Sequence, residues 1–491
     1  MQGQKLFSPK LFYNVNLEDL VPQDHILRRF ESLLSLDFLY EETRPHYSHT
    51  GQPSVDPVVL FKMMLLGYLF GISSERKLAS EIRVNLAFRW YLGYDLDEST
   101  PNHSVLSKAR ARFPQTVFAG FFSRVVELCV QAGLVQGETV CLDSTLIKAN
   151  ASLDSFVEVK EVPQTFIRRV YEENHFESDE PMVKDGTIGR HYDGQADTTK
   201  MGRRRKRCFV NSKRRSTTDP DASIVYRTGR GRQAAFKGHL AVDGDSRVIT
   251  AVEVSSGSTD DTTAVDPLLQ GHLCQLGHQP RQVVADSHYG TSEVYNYLAD
   301  RGIAAVIRPR RTNNRPGFLT ADDFTYDREK DCYVCPQGEV LKLKGYQRTV
   351  HRKAYVAGKK VCDACPLRVK CTTSKQHGRM ITRFIDDYFE RAGRLVKSDY
   401  GKRLLRQRQT VIEGVFGEAK SFHLLQRALF RGKIKLKIQL LLTAAVLNLK
   451  RLLKQRPRDT ATSALEIDTF KFITSITTII RNLLVCPAPS C

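Results

Sequence analysis

The chain has 491 residues, of which 41% are hydrophobic, and its 74 Lys and Arg against 54 Asp and Glu give a formal charge of +20. That length exceeds one ordinary hydrophobic core and predicts about two to four domains, while the charge favours a polyanionic partner such as nucleic acid. The longest apolar stretches contain lysine and are too short to span a membrane, and the first residues lack the apolar core of a secretory signal.

Residues 1–135 predict an all-α domain. Apolar residues recur at helical spacing from residue 24 onwards, and Pro57 follows Asp56 as the first residue of a helix follows its cap. A later helical segment begins with Lys108, Arg110 and Arg112, which we expect to be exposed. The domain is therefore either a DNA-binding or dimerising module or a purely structural one, and this segment favours neither.

Residues 136–455 predict an α/β core with a mixed sheet and helices on its faces. Strand-like and helix-like segments alternate along it, at 139–149, 234–258, 260–277, 282–286, 291–302, 303–309 and 383–455. A polar basic insertion covers 155–222, a cysteine-rich insertion covers 310–382, and a C-terminal tail covers 456–491. The basic insertion, which we expect to be partly disordered, contains a run of cations that suits phosphate contact but is equally typical of a solvated loop. These cations are Arg203, Arg204, Arg205, Lys206 and Arg207.

Two short apolar runs of this core end in aspartates, Asp143 and Asp286. If the two strands are parallel neighbours, both carboxylates lie at the edge of the sheet where α/β proteins bind ligands. Adjacent carboxylates repel each other unless a cation lies between them, and oxygen ligands suit Mg²⁺ or Mn²⁺. A third acid from a following helix would complete a two-metal site for in-line phosphoryl displacement. Each aspartate taken alone is explained as well by a turn or a helix cap.

Other acids have simpler interpretations. Asp243 belongs to a hairpin turn, and Asp260 and Asp261 lie at the start of a helix. Glu413 lies on a helix between Arg408 and Lys420, and the lysine, seven residues on, faces the same way as the glutamate. A carboxylate flanked by cations also fits a surface ion pair.

Four segments in order resemble the DDE transposases of bacterial insertion sequences: "CLDSTLIKANAS", "GHLAVD", "VADSHYG" and "RQRQTVIEGVFGEAKSFHLLQRALFRGK". The likeness is greatest to the branch with a cysteine-bearing insertion before the catalytic glutamate. It implies a ribonuclease-H-like core with Asp143, Asp286 and Glu413 as the catalytic acids, holding two Mg²⁺ or Mn²⁺ ions.

The resemblance also maps Arg408 and Lys420 to cations that contact DNA near the cleaved end. The arginine departs from the commoner spacing, because it stands five residues before Glu413 and Gln409 occupies the four-residue position. Tyr289, in the second aspartate segment, is interpreted either as a ring that positions DNA or as a packing residue.

The function that the resemblance implies is transposition. The protein would bind the terminal inverted repeats of its element as a homodimer on double-stranded DNA, hydrolyse phosphodiester bonds and join the 3′-hydroxyl ends to target DNA. We expect it to act in the bacterial cytoplasm, at the nucleoid and away from membranes. The alternative is a non-catalytic, zinc-containing DNA-binding regulator, which would use the same charge, cysteines and helical N-terminus.

Five cysteines lie between residues 332 and 371. Paired CxxC motifs let four thiolates surround a structural Zn²⁺, as in a zinc ribbon, and we expect this insertion to be too small and polar to fold on a core of its own. Spacing favours Cys332 with Cys335, Cys362 and Cys365, whereas the family pattern replaces Cys332 by Cys371. Reduced thiols without metal, or disulfides in an oxidising compartment, are the alternatives.

Overall fold

The chain is represented by a computed structural model. It describes residues 15–48, 50, 54–158, 211, 214–227, 229, 231–310, 317–347, 352–374, 376–384 and 387–455. The cations at 203–207, most of the basic insertion and the C-terminal tail lie outside the described residues.

The N-terminal region is helical, as predicted. Its helices are α1 (Leu17–Leu20), α2 (Ile26–Glu31), α3 (Phe38–Thr43), α4 (Pro57–Leu69), α5 (Glu75–Val84), α6 (Leu86–Leu92), α7 (Ser104–Arg112) and α8 (Gln115–Gln131). The side chain of Asp56 accepts a hydrogen bond from the Val58 amide at 2.7 Å, so the acid caps α4 and the proline occupies its first turn. Most of α4 is buried, which confirms that this apolar stretch is a core helix.

The predicted exposure of Arg110 is wrong. Its side chain is 7% exposed and forms an ion pair with Glu75. Its guanidinium also lies 4.1 Å from the centre of the Phe430 ring. Lys108 and Arg112, in contrast, are exposed as expected. Arg110 therefore ties α7 to a segment far along the chain, because a guanidinium stacks well on an aromatic ring.

A mixed sheet forms the centre of the molecule. Its strands are β1 (Thr139–Lys148), β4 (Ser223–Arg227), β5 (Gly231–Asp243), β6 (Ile249–Ser256), β7 (Gln282–Ala285) and β8 (Ala304–Ile307). The order is β4-β5-β1-β7-β8, and β6 pairs with the same long strand β5. Strand β1 is antiparallel to β5 and parallel to β7, and β7 is parallel to β8. A separate two-stranded ribbon joins β2 (Phe156–Glu158) and β3 (Arg214–Ser216).

Helices cover both faces of the sheet. They are α9 (Val265–Leu276), α10 (Ser292–Asp300), α13 (Asp387–Lys397), α14 (Asp399–Phe422) and α15 (Lys433–Gln455). One apolar cluster includes residues of α9, α10 and α13. A larger one runs from the N-terminal helices through β1 and β5 to α14 and α15. The N-terminal helices and the sheet therefore share one core, and the apolar stretch 436–453 is a buried helix, as predicted.

The cysteine-rich insertion contains a second sheet. Its strands are β9 (Thr325–Asp327), β10 (Cys332–Val334), β11 (Val340–Gln347), β12 (Arg352–Val356) and β13 (Met380–Phe384), joined by the short helices α11 (Lys359–Asp363) and α12 (Arg368–Cys371). The expectation that this insertion has no core is wrong. Phe324, Leu341, Tyr355, Ala357 and Ile381 form a small one, since tyrosine rings bury apolar area even in a polar stretch.

No helix in the described part of the chain is both long enough and apolar enough to cross a membrane.

Candidate active site

The two predicted aspartates lie side by side at the edge of the parallel strands. The last paired residues of β1 and β7 are Cys141 and Val284, so Asp143 and Asp286 occupy equivalent positions two residues further on. One detail of the prediction is wrong, because β1 does not end at Asp143 but continues to Lys148 through its antiparallel pairing with β5. The parallel pairing with β7 ends before Asp143, so the backbone around this aspartate is paired with β5 alone among the strands.

Asp143 is a partly buried carboxylate held by a cation. Its side chain is 21% exposed, and Arg408 Nη2 of α14 lies 2.8 Å from its Oδ2. The Ser144 amide donates to Oδ1 at 2.8 Å. Burial raises the pKa of Asp143 to about 6, against the lowering effect of Arg408 and with smaller contributions from the charges of Asp286 and Asp261. Keeping this carboxylate charged therefore requires a nearby cation.

Asp286 is fixed by the turn that follows β7. Its Oδ1 accepts a hydrogen bond from the His288 amide at 2.8 Å, and His288 Nδ1 lies 3.0 Å from Oδ2. The side chain is 33% exposed. Each carboxylate oxygen has two acceptor sites, so Asp286 retains capacity to bind a metal ion.

Glu413 is exposed on α14, where Gln409 Nε2 donates to its Oε1 at 3.1 Å. Arg408 and Glu413 are five residues apart on α14, so their side chains point in directions about 140° apart around the helix axis. Lys420 faces the same way as Glu413. The structure thus brings Asp143, Asp286 and Arg408 together and places Glu413 on another side of the helix that covers them. Among the described residues, no three acidic, His or Cys side chains are already close enough to hold a metal.

Asp261 is a residue of this region that the sequence analysis missed. Its neighbour Asp260 is the helix cap, since that side chain accepts from the Thr262 amide at 3.2 Å. Asp261 Oδ1 instead accepts from Ser144 Oγ at 2.8 Å and lies 3.0 Å from Lys237 Nζ. Two adjacent acids at one helix start were the available signal, because only one of them is needed as a cap.

Tyr289 lies inside the protein, 1% exposed, within the apolar cluster beneath α9 and α10. This position agrees with the packing interpretation of its ring. Its hydroxyl has no hydrogen-bond partner among the described residues. Burial raises the pKa of Tyr289 well above its usual value, and the carboxylates of Asp261, Asp143 and Asp286 add to this effect.

Asp243 has the structural role that the hairpin interpretation gave it. Its carboxylate accepts hydrogen bonds from the amides of Gly137 at 3.1 Å, Asp245 at 3.1 Å and Ser246 at 2.8 Å. With these bonds it closes the β5–β6 turn.

Three thiols of the cysteine-rich sheet act electrostatically on a fourth, that of Cys371. Burial raises the pKa of Cys371, and the charges of Cys362, Cys365 and Cys335 raise it further. Backbone amides donate to two of the sulfurs, Gln337 to Cys335 Sγ and Arg379 to Cys362 Sγ, each at 3.4 Å. Cys332, by contrast, is buried in β10 at 6% exposure, whereas the other four thiols are partly exposed.

Comparison with known proteins agrees with the family that the motifs suggested. A family model described as "Transposase domain (DUF772)" matches residues 15–112, and one described as "Transposase DDE domain" matches residues 334–453. A Burkholderia cepacia protein, assigned by its name as a transposase for insertion sequence element IS402, is 30% identical over 125 residues. That match covers 23% of this chain and 54% of the relative, so the chain spans about half the length of the curated relative it matches.

A cryo-EM structure of the piggyBac transposase synaptic complex with hairpin DNA aligns with 95% of this chain and 82% of its own chain, at 10% identity. Its TM-score of 0.33 is too low to carry an argument about the fold.

The two domain matches define a chain with transposase domains in its N-terminal and C-terminal parts. It is related to the DDE transposases of bacterial insertion sequences, and this confirms the predicted family.

Proposed function

We propose that this protein is a DNA transposase with Asp143, Asp286 and Glu413 as its catalytic acids. The observation that carries the proposal is the register of β1 and β7, which places the two aspartates at equivalent positions beside each other. They lie beneath α14, the helix that carries Glu413 and whose Arg408 already reaches Asp143. The proposal requires the Glu413 side chain to reach this pair when DNA and metal are bound.

The order of the strands supports a ribonuclease-H-like core. Three antiparallel strands, β6, β5 and β1, are followed across the sheet by the parallel strands β7 and β8. The helix with the third acid comes after these strands in the chain. This is the arrangement that the family resemblance implies.

The acids fit divalent cations. Two adjacent carboxylates, one of them costly to keep charged, favour a bound cation, and their oxygens suit Mg²⁺ or Mn²⁺. Two such ions, when bound, would supply an activated water and stabilise the leaving oxygen of the phosphodiester. Asp143 and Asp286 would hold them together with Glu413, and Arg408 would neutralise Asp143 until they bind.

The DNA would comprise the terminal inverted repeats and the target, bound by a homodimer. Arg408 and Lys420 on α14, with Arg203, Arg204, Arg205, Lys206 and Arg207, are the proposed phosphate contacts. Phosphate contacts made by Lys and Arg supply affinity without reading sequence. The net charge of +20 supports a partner of this kind.

A structural Zn²⁺ in the cysteine-rich sheet is a second part of the proposal. The set Cys335, Cys362, Cys365 and Cys371 is supported by the charges that the first three exert on the Cys371 thiol and by the amide donors to two of these sulfurs. Four thiolates suit a closed tetrahedral zinc site, which stabilises a small fold without taking part in chemistry.

The test is a cleavage assay on DNA that carries the ends of the native element, with and without Mg²⁺. We expect the wild-type protein to nick these ends only with the metal, and Asp143→Asn, Asp286→Asn and Glu413→Gln to bind the DNA without cutting it. Asp300→Asn, an exposed acid at the end of α10, is the matched control and should cut normally. DNA binding without any metal-dependent nick by the wild type would favour the non-catalytic regulator.

A further inference from the structure

The hydroxyl of Tyr289 is an isolated polar group in the interior. Buried hydroxyls are normally hydrogen-bonded, and one that is not requires an explanation. Here the ring is 1% exposed and the oxygen has no partner among the described residues. The nearby Tyr295, in the same apolar cluster, behaves normally, because its hydroxyl donates to the Ile307 carbonyl oxygen at 2.9 Å.

The surroundings of this hydroxyl are acidic. Asp261, Asp143 and Asp286 are the three carboxylates whose charges act on it. Tyr289 is the third residue after Asp286, and the turn between them brings the Tyr289 amide back to the Asp286 carbonyl oxygen at 3.3 Å. The Tyr289 ring also packs in the apolar cluster that contains Leu142 and Ala285, the residues immediately before Asp143 and Asp286.

Asp261 is tied to β1 by its contacts. Its Oδ1 is occupied by Ser144 Oγ and Lys237 Nζ, and its side chain is 13% exposed. Ser144 is the residue next to Asp143 in β1. Asp261 therefore holds the strand beside the first aspartate, while its lysine partner offsets its charge.

We propose that Tyr289 is a positioning residue of the acid centre, whose hydroxyl, unpartnered in the described part of the metal-free protein, donates a hydrogen bond to a carboxylate oxygen of the Asp143–Asp286 pair when cations are bound. This inference rests on the proposed function, because it assigns the residue to the same metal site. A hydroxyl in this place orients the carboxylates that must receive the cations. Mutation of a residue that hydrogen-bonds to a metal ligand commonly lowers metal affinity or activity by about 10–100-fold.

The test is Tyr289→Phe, which removes one oxygen and keeps the ring. Mn²⁺ binding to the full chain, measured by calorimetry, should weaken by about tenfold, and the Mg²⁺ concentration that half-saturates end cleavage should rise by a similar factor. The unfolding midpoint without metal should stay the same or rise. The substitution removes a buried hydroxyl that has no partner among the described residues of the metal-free protein, and such a group costs stability. A purely structural role would lower the midpoint and leave metal binding unchanged.

Tyr295→Phe is the matched control. It removes a hydroxyl that is bonded to a backbone carbonyl, so the unfolding midpoint should fall while Mn²⁺ affinity stays at the wild-type value. If Tyr289→Phe binds Mn²⁺ and cleaves like the wild type, the positioning role is refuted while the transposase proposal stands. If the wild type itself neither binds Mn²⁺ nor cleaves, the proposed function fails first, so the two failures are distinguishable.

Discussion

Arg408 and Asp143 form an ion pair between α14 and β1, with 2.8 Å between Nη2 and Oδ2. Both side chains are largely buried, at 13% and 21% exposure. The arginine also approaches the Leu142 carbonyl oxygen, at 3.5 Å from Nε. The Arg408 guanidinium therefore lies beside the carboxylate that we assign to metal binding. The guanidinium and a bound metal ion would compete for the Asp143 carboxylate.

Arg408→Gln should destabilise the metal-free protein by about 2 kcal/mol, because it leaves a partly buried carboxylate without its cation. Mg²⁺ should recover more of the stability of this variant than it adds to the wild type, since the ion replaces the lost charge. Denaturant unfolding in EDTA and in Mg²⁺ measures both effects. Arg406→Gln, an exposed arginine two residues away, should change neither.

Zinc content should follow the four thiols of the proposed zinc site. We expect about one Zn²⁺ per chain in the wild type. Cys362→Ser or Cys371→Ser should lose it, because a closed zinc site needs all four ligands. Cys332→Ala should keep it, since that thiol is buried in β10 and is not one of the proposed ligands. Metal analysis of the purified variants decides, and zinc lost from Cys332→Ala but kept in Cys371→Ser would select the other set.

Acid should weaken the contact between α14 and α15. Glu418 accepts a hydrogen bond from Lys450 and lies 3.5 Å from Arg451 Nη2 and 3.8 Å from His423 Nε2. Its side chain is 28% exposed. The nearby His423 side chain, the hydrogen bond from Lys450, and the charges of Arg451 and Lys450 lower the pKa of Glu418 to about 2.

A carboxylate whose folded-state pKa is lowered stabilises the fold above its ordinary value of 4.5, and this contribution is lost as the pH falls towards 2. Glu418→Gln should therefore cost on the order of 2 kcal/mol at pH 7 and less at pH 3. Unfolding curves at the two pH values check this expectation. An equal cost at both would show that the charge contributes nothing.

The local pattern of apolar and polar residues was sufficient to predict the long helices and the central hairpin. The apolar stretches that became α4 and α15 are buried helices, and the two β-rich runs around residues 243–246 became the β5–β6 hairpin. The hypothesis that Asp143 and Asp286 are neighbours also came from local pattern, because a run that ends in an acid can be recognised without knowing its partner strand. The register of β1 and β7 agrees with it.

What the pattern missed depends on residues distant in the chain. β1 extends beyond Asp143 because β5 is long enough to pair with it, and Arg110 is buried because Phe430 meets it from the other end of the sequence. The core of the cysteine-rich sheet includes tyrosines from different strands. Each of these tyrosines lies in a segment that is polar when the segment is considered alone. Two adjacent acids at 260–261 indicate that one is not needed as a cap, but the local pattern does not show that Asp261 turns towards Ser144.

The most direct test of the central claim is anomalous diffraction from crystals of the protein with an end of its element and Mn²⁺. We expect Mn²⁺ at about 2.1 Å from carboxylate oxygens of both Asp143 and Asp286, with Glu413 drawn in and Arg408 displaced from Asp143. Manganese found only elsewhere, with Arg408 still paired to Asp143 on the bound DNA, would contradict the account.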